Sequence, residues 1–282
     1  MSIRLPRSEC AGWSAAMAVL LLGCASARDG AAQRPPEGRS GLPAGYLTPE
    51  ALPDSVALLP PPPEPGSLAQ SLDDGASRRA LALRGTPRWA LATSDYDLSF
   101  PHAAATFDCA LGVAISAVDT PRLYVLLRRS LADAALSARA AKDRYRRPRP
   151  LFVNHEPICA PEGAWEKRTS DGSYPSGHAT AGWTWALVLA EAAPERFDAV
   201  LARGKEFGQS RVICNMHWQS DVDAGRLLGA ATVARLHADP TFRADVEAAK
   251  EEVAAARASG RRPSTDCRAE ADALAAGPPA AR

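Results

Sequence analysis

An apolar pattern with the period of a helix runs through residues 67–258 and constrains the fold of this chain more than any other feature. In the segment 121–146, for example, Leu123, Leu127 and Leu131 recur every four residues, which places them on one face of a helix. No segment alternates apolar and polar residues as a half-buried strand would. The sequence therefore predicts an all-α fold, with helices over 68–83, 103–117, 121–146, 176–193, 195–212, 221–238 and 241–258 and a short helix near 269–275.

These helices are expected to form a single compact helical-bundle domain over 67–258. Apolar residues make up 46% of the chain, which is ordinary for a folded protein and excludes a disordered or collagen-like chain. Residues 28–66 are rich in Pro and Gly and culminate in four consecutive prolines, Pro60 to Pro63. Such a segment predicts an extended spacer outside the core. Residues 259–282 are expected to be a C-terminal tail.

The first 27 residues have the pattern of a secretory signal peptide. Two arginines precede an apolar run at 15–22, which is too short to span a bilayer. Two cleavage sites compete. The small residues at 25–27 suit ordinary signal peptidase and would leave Arg28 first, whereas the residues before Cys24 resemble a lipoprotein box and would leave Cys24 lipid-anchored. Both alternatives predict an exported, periplasmic protein without a transmembrane span.

Charge is balanced over the whole chain but concentrated in one segment. Lys and Arg number 33 against 32 Asp and Glu, so a net charge of +1 gives no long-range attraction to nucleic acid. Basic residues crowd into 139–150, where Lys142 and Arg149 would lie about 20° apart on one helix face. Pro148 and Pro150 should end that helix and hold Arg149 in extended backbone. Taken alone, this segment is a solvated basic face; a phosphate-like anion would also suit it.

Two further segments place polar residues at helix ends. Ser176 and Gly177 start a predicted helix, where a hydroxyl and unpaired amides make an anion site beside His178. His217 and Asp221 are four residues apart, so they would be neighbours on a helix. The carboxylate can then accept a hydrogen bond from one imidazole N–H, which leaves a lone pair on the other nitrogen for nucleophilic attack. By themselves, these would be a serine N-cap and a structural His–Asp pair.

The three segments together resemble the signature of the phosphatidic acid phosphatase type 2 and vanadium haloperoxidase superfamily. The matching elements, in chain order, are Lys142, Arg149-Pro150, Pro175-Ser176-Gly177-His178, Ser210-Arg211, His217 and Asp221. The flanking residues are similar to those of bacterial class A non-specific acid phosphatases, and the resemblance extends over about residues 50–250. It is carried by the four prolines at 60–63 and by the sequences at 172–178, 208–214 and 221–226.

This resemblance implies a fold, a reaction and a set of roles. It implies a helical bundle with the active site at helix ends, and an enzyme, EC 3.1.3.2, that hydrolyses a broad range of phosphomonoesters. His217 would be the nucleophile that forms a phosphohistidine, Asp221 would orient it, and His178 would protonate the leaving group. The phosphoryl oxygens would be bound by Lys142, Arg149, Ser176, Gly177 and Arg211.

The resemblance also implies what binds and what does not. Alcohols would compete with water for the phosphoenzyme, vanadate would inhibit, and a homo-oligomer would be in keeping with the family. We expect no metal or other cofactor, because three cations and a helix N-terminus can stabilise the phosphoryl group. Two alternatives remain: a vanadate-dependent haloperoxidase and a non-catalytic phosphate-binding surface protein. The second would not need His178, His217 or Asp221.

Cysteine usage agrees with export. Four cysteines follow residue 27, and an even number in an exported protein predicts two disulfides. No two of them have the close spacing of a zinc site. Among the three pairings of Cys109, Cys159, Cys214 and Cys267, Cys159–Cys214 is favoured because both residues flank the motif segments.

Overall fold

Helices make up nearly all of the regular structure in the computed structural model, which describes residues 43–160 and 171–277. The described part contains no β-strand, so the predicted all-α class is confirmed. The predicted signal peptide at 1–27 lies outside the described residues. The helices are α1 Ser55–Leu58, α2 Leu68–Leu81, α3 Pro87–Ser94, α4 His102–Ala105, α5 Asp108–Leu111, α6 Pro121–Ser137, α7 Arg139–Tyr145, α8 Pro150–Asn154, α9 Gly177–Ala192, α10 Phe197–Ile213, α11 Gln219–Leu236, α12 Pro240–Ala258 and α13 Cys267–Ala275.

The long helices begin where the sequence places capping residues. The Ser67 hydroxyl accepts the amide of Gln70 at the start of α2, and the Asp239 carboxylate accepts that of Phe242 at the start of α12. Pro121 occupies the first turn of α6, where its missing N–H costs nothing. The predicted helices α2, α9, α10, α11, α12 and α13 are therefore confirmed to within about two residues at most ends.

Two predicted helices are wrong in extent. The segment predicted as 103–117 forms only the short helices α4 and α5, and α5 ends at Gly112, whose φ of 86° is left-handed. The segment predicted as 121–146 divides at Ala138 into α6 and α7. The prediction followed apolar periodicity, which continues across both breaks; it is tertiary packing that divides the helices.

Helix α9 lies at the centre of the bundle and packs against α6, α10, α11 and α12. Twelve of its 16 residues are buried, which explains why it is apolar on nearly every face. Trp185 of α9 contacts Phe107 and Phe207 edge-on or tilted, and its indole N–H donates to the Leu127 carbonyl at 2.9 Å. Burial of each large apolar side chain here contributes about 1.5–3 kcal/mol.

Helices α9 and α11 approach each other at the level of their backbones. A Cβ atom at Gly225 of α11 would lie 2.6 Å from the Ser176 carbonyl oxygen, which is closer than real Cβ contacts allow. One turn further along α11, a Cβ at Gly229 would lie 2.8 Å from the Thr180 carbonyl oxygen. Bare glycine faces therefore let the start of α9 lie directly against α11.

The described residues 43–60 of the predicted Pro-rich spacer pack against the helical bundle. Tyr46 is buried in the main core, where its amide donates to Asp133 at 2.8 Å and its hydroxyl to Asp245 at 2.7 Å. Leu59 is buried in a smaller cluster, and the Pro60 carbonyl accepts the Tyr174 hydroxyl at 2.7 Å. The expectation of a spacer outside the core is therefore wrong for the described residues 43–60, because a few anchoring side chains outweigh the average composition.

Two disulfides join distant parts of the described chain. Cys159–Cys214, the favoured pairing, is confirmed, and Cys109–Cys267 links α5 to the first residue of α13. The second bond and the buried Ala273 attach the predicted tail to the bundle. None of the described helices is both long and apolar enough to cross a membrane.

Candidate active site

Helix ends bring the three motif segments to one place. The contributing ends are the C-terminal half of α7, the loop before α8, the first turn of α9, the last turn of α10 and the loop that leads into α11. A chain of direct contacts joins three of these segments, because Arg149 touches His217, His217 lies beside Asp221, and the Asp221 carbonyl accepts the Ser176 amide. The site therefore forms where five separate segments converge.

His217 lies between a carboxylate and a guanidinium. Its Nδ1 is 3.4 Å from Asp221 Oδ2, and its Nε2 is 2.9 Å from Arg149 Nη1. A guanidinium can only donate, so Nε2 faces it with a lone pair, and the proton of a neutral ring lies on Nδ1 towards Asp221. The ring is 4% exposed. This arrangement fixes the tautomer in which Nδ1 carries the proton and Nε2 the lone pair.

The Asp221 carboxylate is held by two groups besides His217. It is fully buried; Oδ2 accepts the Trp218 amide at 2.9 Å, which caps α11, and Oδ1 accepts Arg147 Nη1 at 2.6 Å. Burial raises the pKa of the Asp221 carboxyl, while Arg147 and the Trp218 amide oppose that rise. The carboxylate is therefore fixed in position by both of its oxygens.

The residues predicted to form an anion site, Ser176 and Gly177, lie at the start of α9. Ser176 is the N-cap in extended backbone, and its hydroxyl accepts the Ala179 amide at 3.3 Å. Gly177 opens the helix close to Lys142, since a Cβ at this position would lie 4.0 Å from the Lys142 Cε, an ordinary van der Waals distance. A 16-residue helix presents its positive end and its first amides at this point.

Lys142 and Arg149 converge on one carboxylate. Lys142 Nζ lies 3.8 Å from Asp171 Oδ1 and Arg149 Nη2 lies 3.2 Å from Asp171 Oδ2. Helix α7 ends at Tyr145, so Arg149 lies outside it, and the predicted spacing on one helix face is wrong. The predicted extended backbone of Arg149 is confirmed, with φ −75° and ψ 153°. These two cations therefore point at a common anion position, which sequence reasoning did not connect with Asp171.

His178 and Arg211 share a neighbour that the sequence did not single out. His178 Nε2 is 2.9 Å from the Tyr96 carbonyl oxygen, and the two rings stack with centroids 5.8 Å apart. The Arg211 guanidinium lies 5.7 Å from the centre of the same Tyr96 ring and donates to the Ala92 carbonyl. The Arg211 carbonyl in turn accepts the His217 amide at 3.2 Å. Tyr96 therefore positions both side chains.

Helix α3, which carries Ala92 and leads to Tyr96, was not predicted. Thr86 caps it and Pro87 follows in its first turn, the same signal that correctly marks the start of α6. Beyond its end, Asp95 accepts Arg203 at 2.5 and 3.2 Å and the Ser210 hydroxyl at 2.6 Å. The motif residue Ser210 thus anchors α3 to α10.

All eight predicted site residues lie in this region. Two contact groups contain them, one around the His217–Asp221 pair and one around Tyr96, and the Arg211 backbone joins the two groups. Among residues 43–160 and 171–277, no three His, Cys, Asp or Glu side chains lie close enough to hold a metal ion. The predicted residues are Lys142, Arg149, Ser176, Gly177, His178, Arg211, His217 and Asp221.

Known proteins with similar sequences agree with one another. Residues 123–244 match the PAP2 superfamily. The chain is 43% identical over 210 residues to the non-specific acid phosphatase of Providencia stuartii, an alignment that covers 74% of this chain and 84% of that protein. It is 42% identical over 209 residues to the non-specific acid phosphatase of Salmonella typhimurium, covering 74% and 83%. With the acid phosphatase of Zymomonas mobilis the identity is 40% over 210 residues, covering 74% and 79%. The similarity therefore extends well beyond the three motifs.

Proposed function

Because the chain belongs to the PAP2 superfamily and to its group of non-specific acid phosphatases, we propose that the site around His217 hydrolyses phosphomonoesters through a phosphohistidine. The chain is a phosphoric monoester hydrolase of the acid phosphatase type. One observation above all supports the covalent route: the tautomer of His217 is fixed, with Asp221 on Nδ1 and Arg149 on Nε2. That arrangement places the Nε2 lone pair beside Arg149, one of the cations that contact Asp171.

In the first step, the phosphoryl group binds between the start of α9 and the cations Lys142, Arg149 and Arg211. The Nε2 lone pair of His217 attacks phosphorus, and the P–O bond to the leaving group breaks. His178 gives its proton to the departing alkoxide, while the Nδ1 proton of His217 stays beside Asp221. The products are a phosphohistidine, a free alcohol and neutral His178.

In the second step, water replaces the alcohol. Neutral His178 takes a proton from the water as its oxygen attacks phosphorus, and the P–N bond to His217 breaks. Inorganic phosphate leaves, with His217 neutral and His178 protonated for the next cycle. An alcohol in place of water would receive the phosphoryl group instead.

The developing charge is met by groups already in position. Lys142, Arg149 and Arg211 are largely buried, and charges act more strongly where water is excluded. The two histidines must act in opposite protonation states, with His217 neutral and His178 charged. A bell-shaped pH–rate profile follows, whose acid limb reflects the requirement for neutral His217.

One assay tests this function against its alternatives. Release of phosphate from p-nitrophenyl phosphate is measured with EDTA present, and bromide oxidation is then measured with added vanadate. We expect phosphate release that survives EDTA and is inhibited by vanadate, without bromide oxidation. Bromide oxidation without phosphate release would instead identify a haloperoxidase. Absence of both activities would favour the non-catalytic phosphate-binding protein.

Replacing His178 by alanine is expected to have an effect that depends on the leaving group. An alkoxide needs a proton as it departs, whereas p-nitrophenolate is stable without one, so His178→Ala should slow alkyl phosphates about 10²- to 10⁴-fold. The loss in kcat/KM with p-nitrophenyl phosphate should be much smaller, because kcat/KM reports the steps up to the phosphohistidine and excludes the hydrolysis step, in which His178 serves both substrates alike. Steady-state kinetics on both substrates measure the difference, with His102→Ala, an exposed histidine, as the control. Equal losses on both substrates would contradict the role of His178 as general acid.

We infer export from two independent features. Residues 1–27 have the pattern of a signal peptide, and the two disulfides are bonds that persist in oxidising compartments. A periplasmic location is the proposal that fits both. N-terminal sequencing of the mature protein would distinguish a start at Arg28 from a lipid-anchored start at Cys24.

A further inference from the structure

Arg147 lies behind the catalytic pair, although it is not one of the eight predicted site residues. Its Nη1 donates to Asp221 Oδ1 at 2.6 Å, and its Nη2 donates to Asp73 Oδ2 at 2.7 Å. The residue is only 6% exposed. It therefore bridges two buried carboxylates, one of which holds the Nδ1 side of His217.

The carboxylate on the far side of Arg147 is itself fixed. Asp73 of α2 accepts the amide and the hydroxyl of Ser220 at 2.8 and 2.5 Å. Ser220 is the neighbour of Asp221, and its hydroxyl also accepts Arg147 Nη1 at 2.8 Å. The guanidinium is held further by Gln70 at 2.8 Å. Helix α2 thus clamps Arg147 against the start of α11.

The charge of Arg147 matters because Asp221 is fully buried. A fully buried carboxylate is driven towards its neutral form, and Arg147 is the largest influence that opposes this. A protonated Asp221 would be a much weaker acceptor for the Nδ1 proton of His217, so the tautomer with the lone pair on Nε2 would be held less firmly. The guanidinium is therefore placed to keep Asp221 ionised at the acidic pH where the enzyme is expected to work.

We propose that Arg147 is a positioning residue for the phosphatase reaction, which keeps Asp221 ionised and oriented so that His217 presents a neutral Nε2 to phosphorus. This proposal rests on the proposed function of the site. Arg147 does not touch the reacting phosphoryl group; it acts through Asp221. The first motif segment specifies Lys142 and Arg149, and Arg147 occupies one of the unspecified positions between them.

The charges that face this group come from every element packed around it. Asp221 faces Arg147, His217 and, at longer range, Lys142 and the Tyr174 hydroxyl. Arg147 also faces Asp73, and His217 also faces Arg149. Removing Arg147 takes a positive charge away from the surroundings of Asp221, so the Asp221 carboxylate becomes protonated at a higher pH. A charged Asp221 without Arg147 would also favour the cationic form of His217. Both effects move the acid limb of the pH–rate profile upward.

The test is the pH dependence of kcat and kcat/KM for p-nitrophenyl phosphate in four enzymes. We expect Arg147→Met to lower kcat about 10- to 100-fold at acidic pH, to change KM little, and to move the acid limb up by about one unit. Arg147→Lys keeps the charge but reaches one carboxylate at a time, so its limb should stay near that of the wild type with a smaller loss of kcat. Arg129→Met removes another partly buried arginine that pairs with an aspartate, and it should leave the limb in place.

A fourth variant is expected to move the acid limb in the opposite direction. Asp73→Asn removes the competing carboxylate, which directs the charge of Arg147 more fully to Asp221, so the acid limb should move down. It also keeps a hydrogen-bonding group against Ser220, so it informs even where Arg147→Met fails to fold. A limb that is unmoved in both Arg147→Met and Asp73→Asn, or one that moves the same way in both, would overturn the proposal. Absence of phosphatase activity in the wild type would instead refute the proposed function.

Discussion

Replacing His217 by alanine is expected to lower kcat/KM for p-nitrophenyl phosphate by about 10⁴-fold or more, because no neighbouring group can take over as nucleophile. Lys142, Arg149 and Arg211 are cations, which have no lone pair for attack on phosphorus. His178 is held with its Nε2 against the Tyr96 carbonyl oxygen. The wild type, quenched in alkali during turnover, should carry one added phosphoryl group by intact mass. His217→Ala should carry none.

Two controls separate this loss from a general effect of removing a histidine. His237 follows the last residue of α11, at the opposite end from His217; its ring is 40% exposed and pairs with Glu191 of α9. His237→Ala should therefore retain activity. The free energy of unfolding of His217→Ala in urea should remain close to that of the wild type, since Ala leaves Asp221 bound to Arg147 and the Trp218 amide. A His217→Ala enzyme that keeps its phosphoenzyme would place the nucleophile elsewhere.

The largest loss of stability is expected from Asp95→Ala. Asp95 and Arg203 are each about 2% exposed at their side chains and are joined by two hydrogen bonds, and the Ser210 hydroxyl also donates to Asp95. Removing one partner of a buried ion pair leaves the other charge uncompensated, which costs about 3–5 kcal/mol in free energy of unfolding. Glu270 lies 3.4 Å from Arg203 and would offset part of that cost. Urea unfolding followed by circular dichroism measures it.

Activity should fall together with stability in Asp95→Ala, because the next residue is Tyr96. Its carbonyl holds His178 and its ring stacks on the same imidazole, so a displaced Tyr96 misplaces the general acid. Asp223→Ala is the matched control: it breaks a pair with Arg226 in which the aspartate is 59% exposed, and should change stability by less than about 1 kcal/mol. The double variant Asp95→Ala/Arg203→Met should recover part of the lost stability. A single variant as stable as the wild type would mean that Arg203 is not held by Asp95.

The helices and the site were predicted from the sequence to different degrees and for different reasons. The ends of α2 and α12 follow from local capping by Ser67 and Asp239, which needs no tertiary information. The eight site residues follow from motifs with fixed spacing. Tyr46 and Arg147 could not be found in this way. Each is held in place by a carboxylate that is distant in the sequence. Asp133 accepts the Tyr46 amide, and Asp73, which is 74 residues earlier in the chain, accepts Arg147.

Tertiary contacts also explain the helices that were predicted with the wrong length. Apolar periodicity continues across Ala138, but α7 turns there, and its Ala141 amide donates to the Ser55 hydroxyl of α1. Gly112 ends α5, and Arg196 and Arg257 donate to the terminal carbonyls of that helix. Neither interaction has a local sequence signal, because each joins residues more than 80 positions apart. Local patterns therefore predict where helices start better than where they break.

The contact of Gly225 with the Ser176 carbonyl has a consequence for how such an enzyme can diversify. The gap between α9, where we propose that phosphate binds, and α11, which follows the proposed nucleophile, is set by two backbones and cannot be adjusted by a change of rotamer. If phosphate binds there, every substrate meets the same phosphoryl site, so preference for one organic group over another has to arise from residues outside this contact. Descendants of this protein can acquire new substrates by substitutions around the rim, while position 225 stays closed to every amino acid that has a side chain.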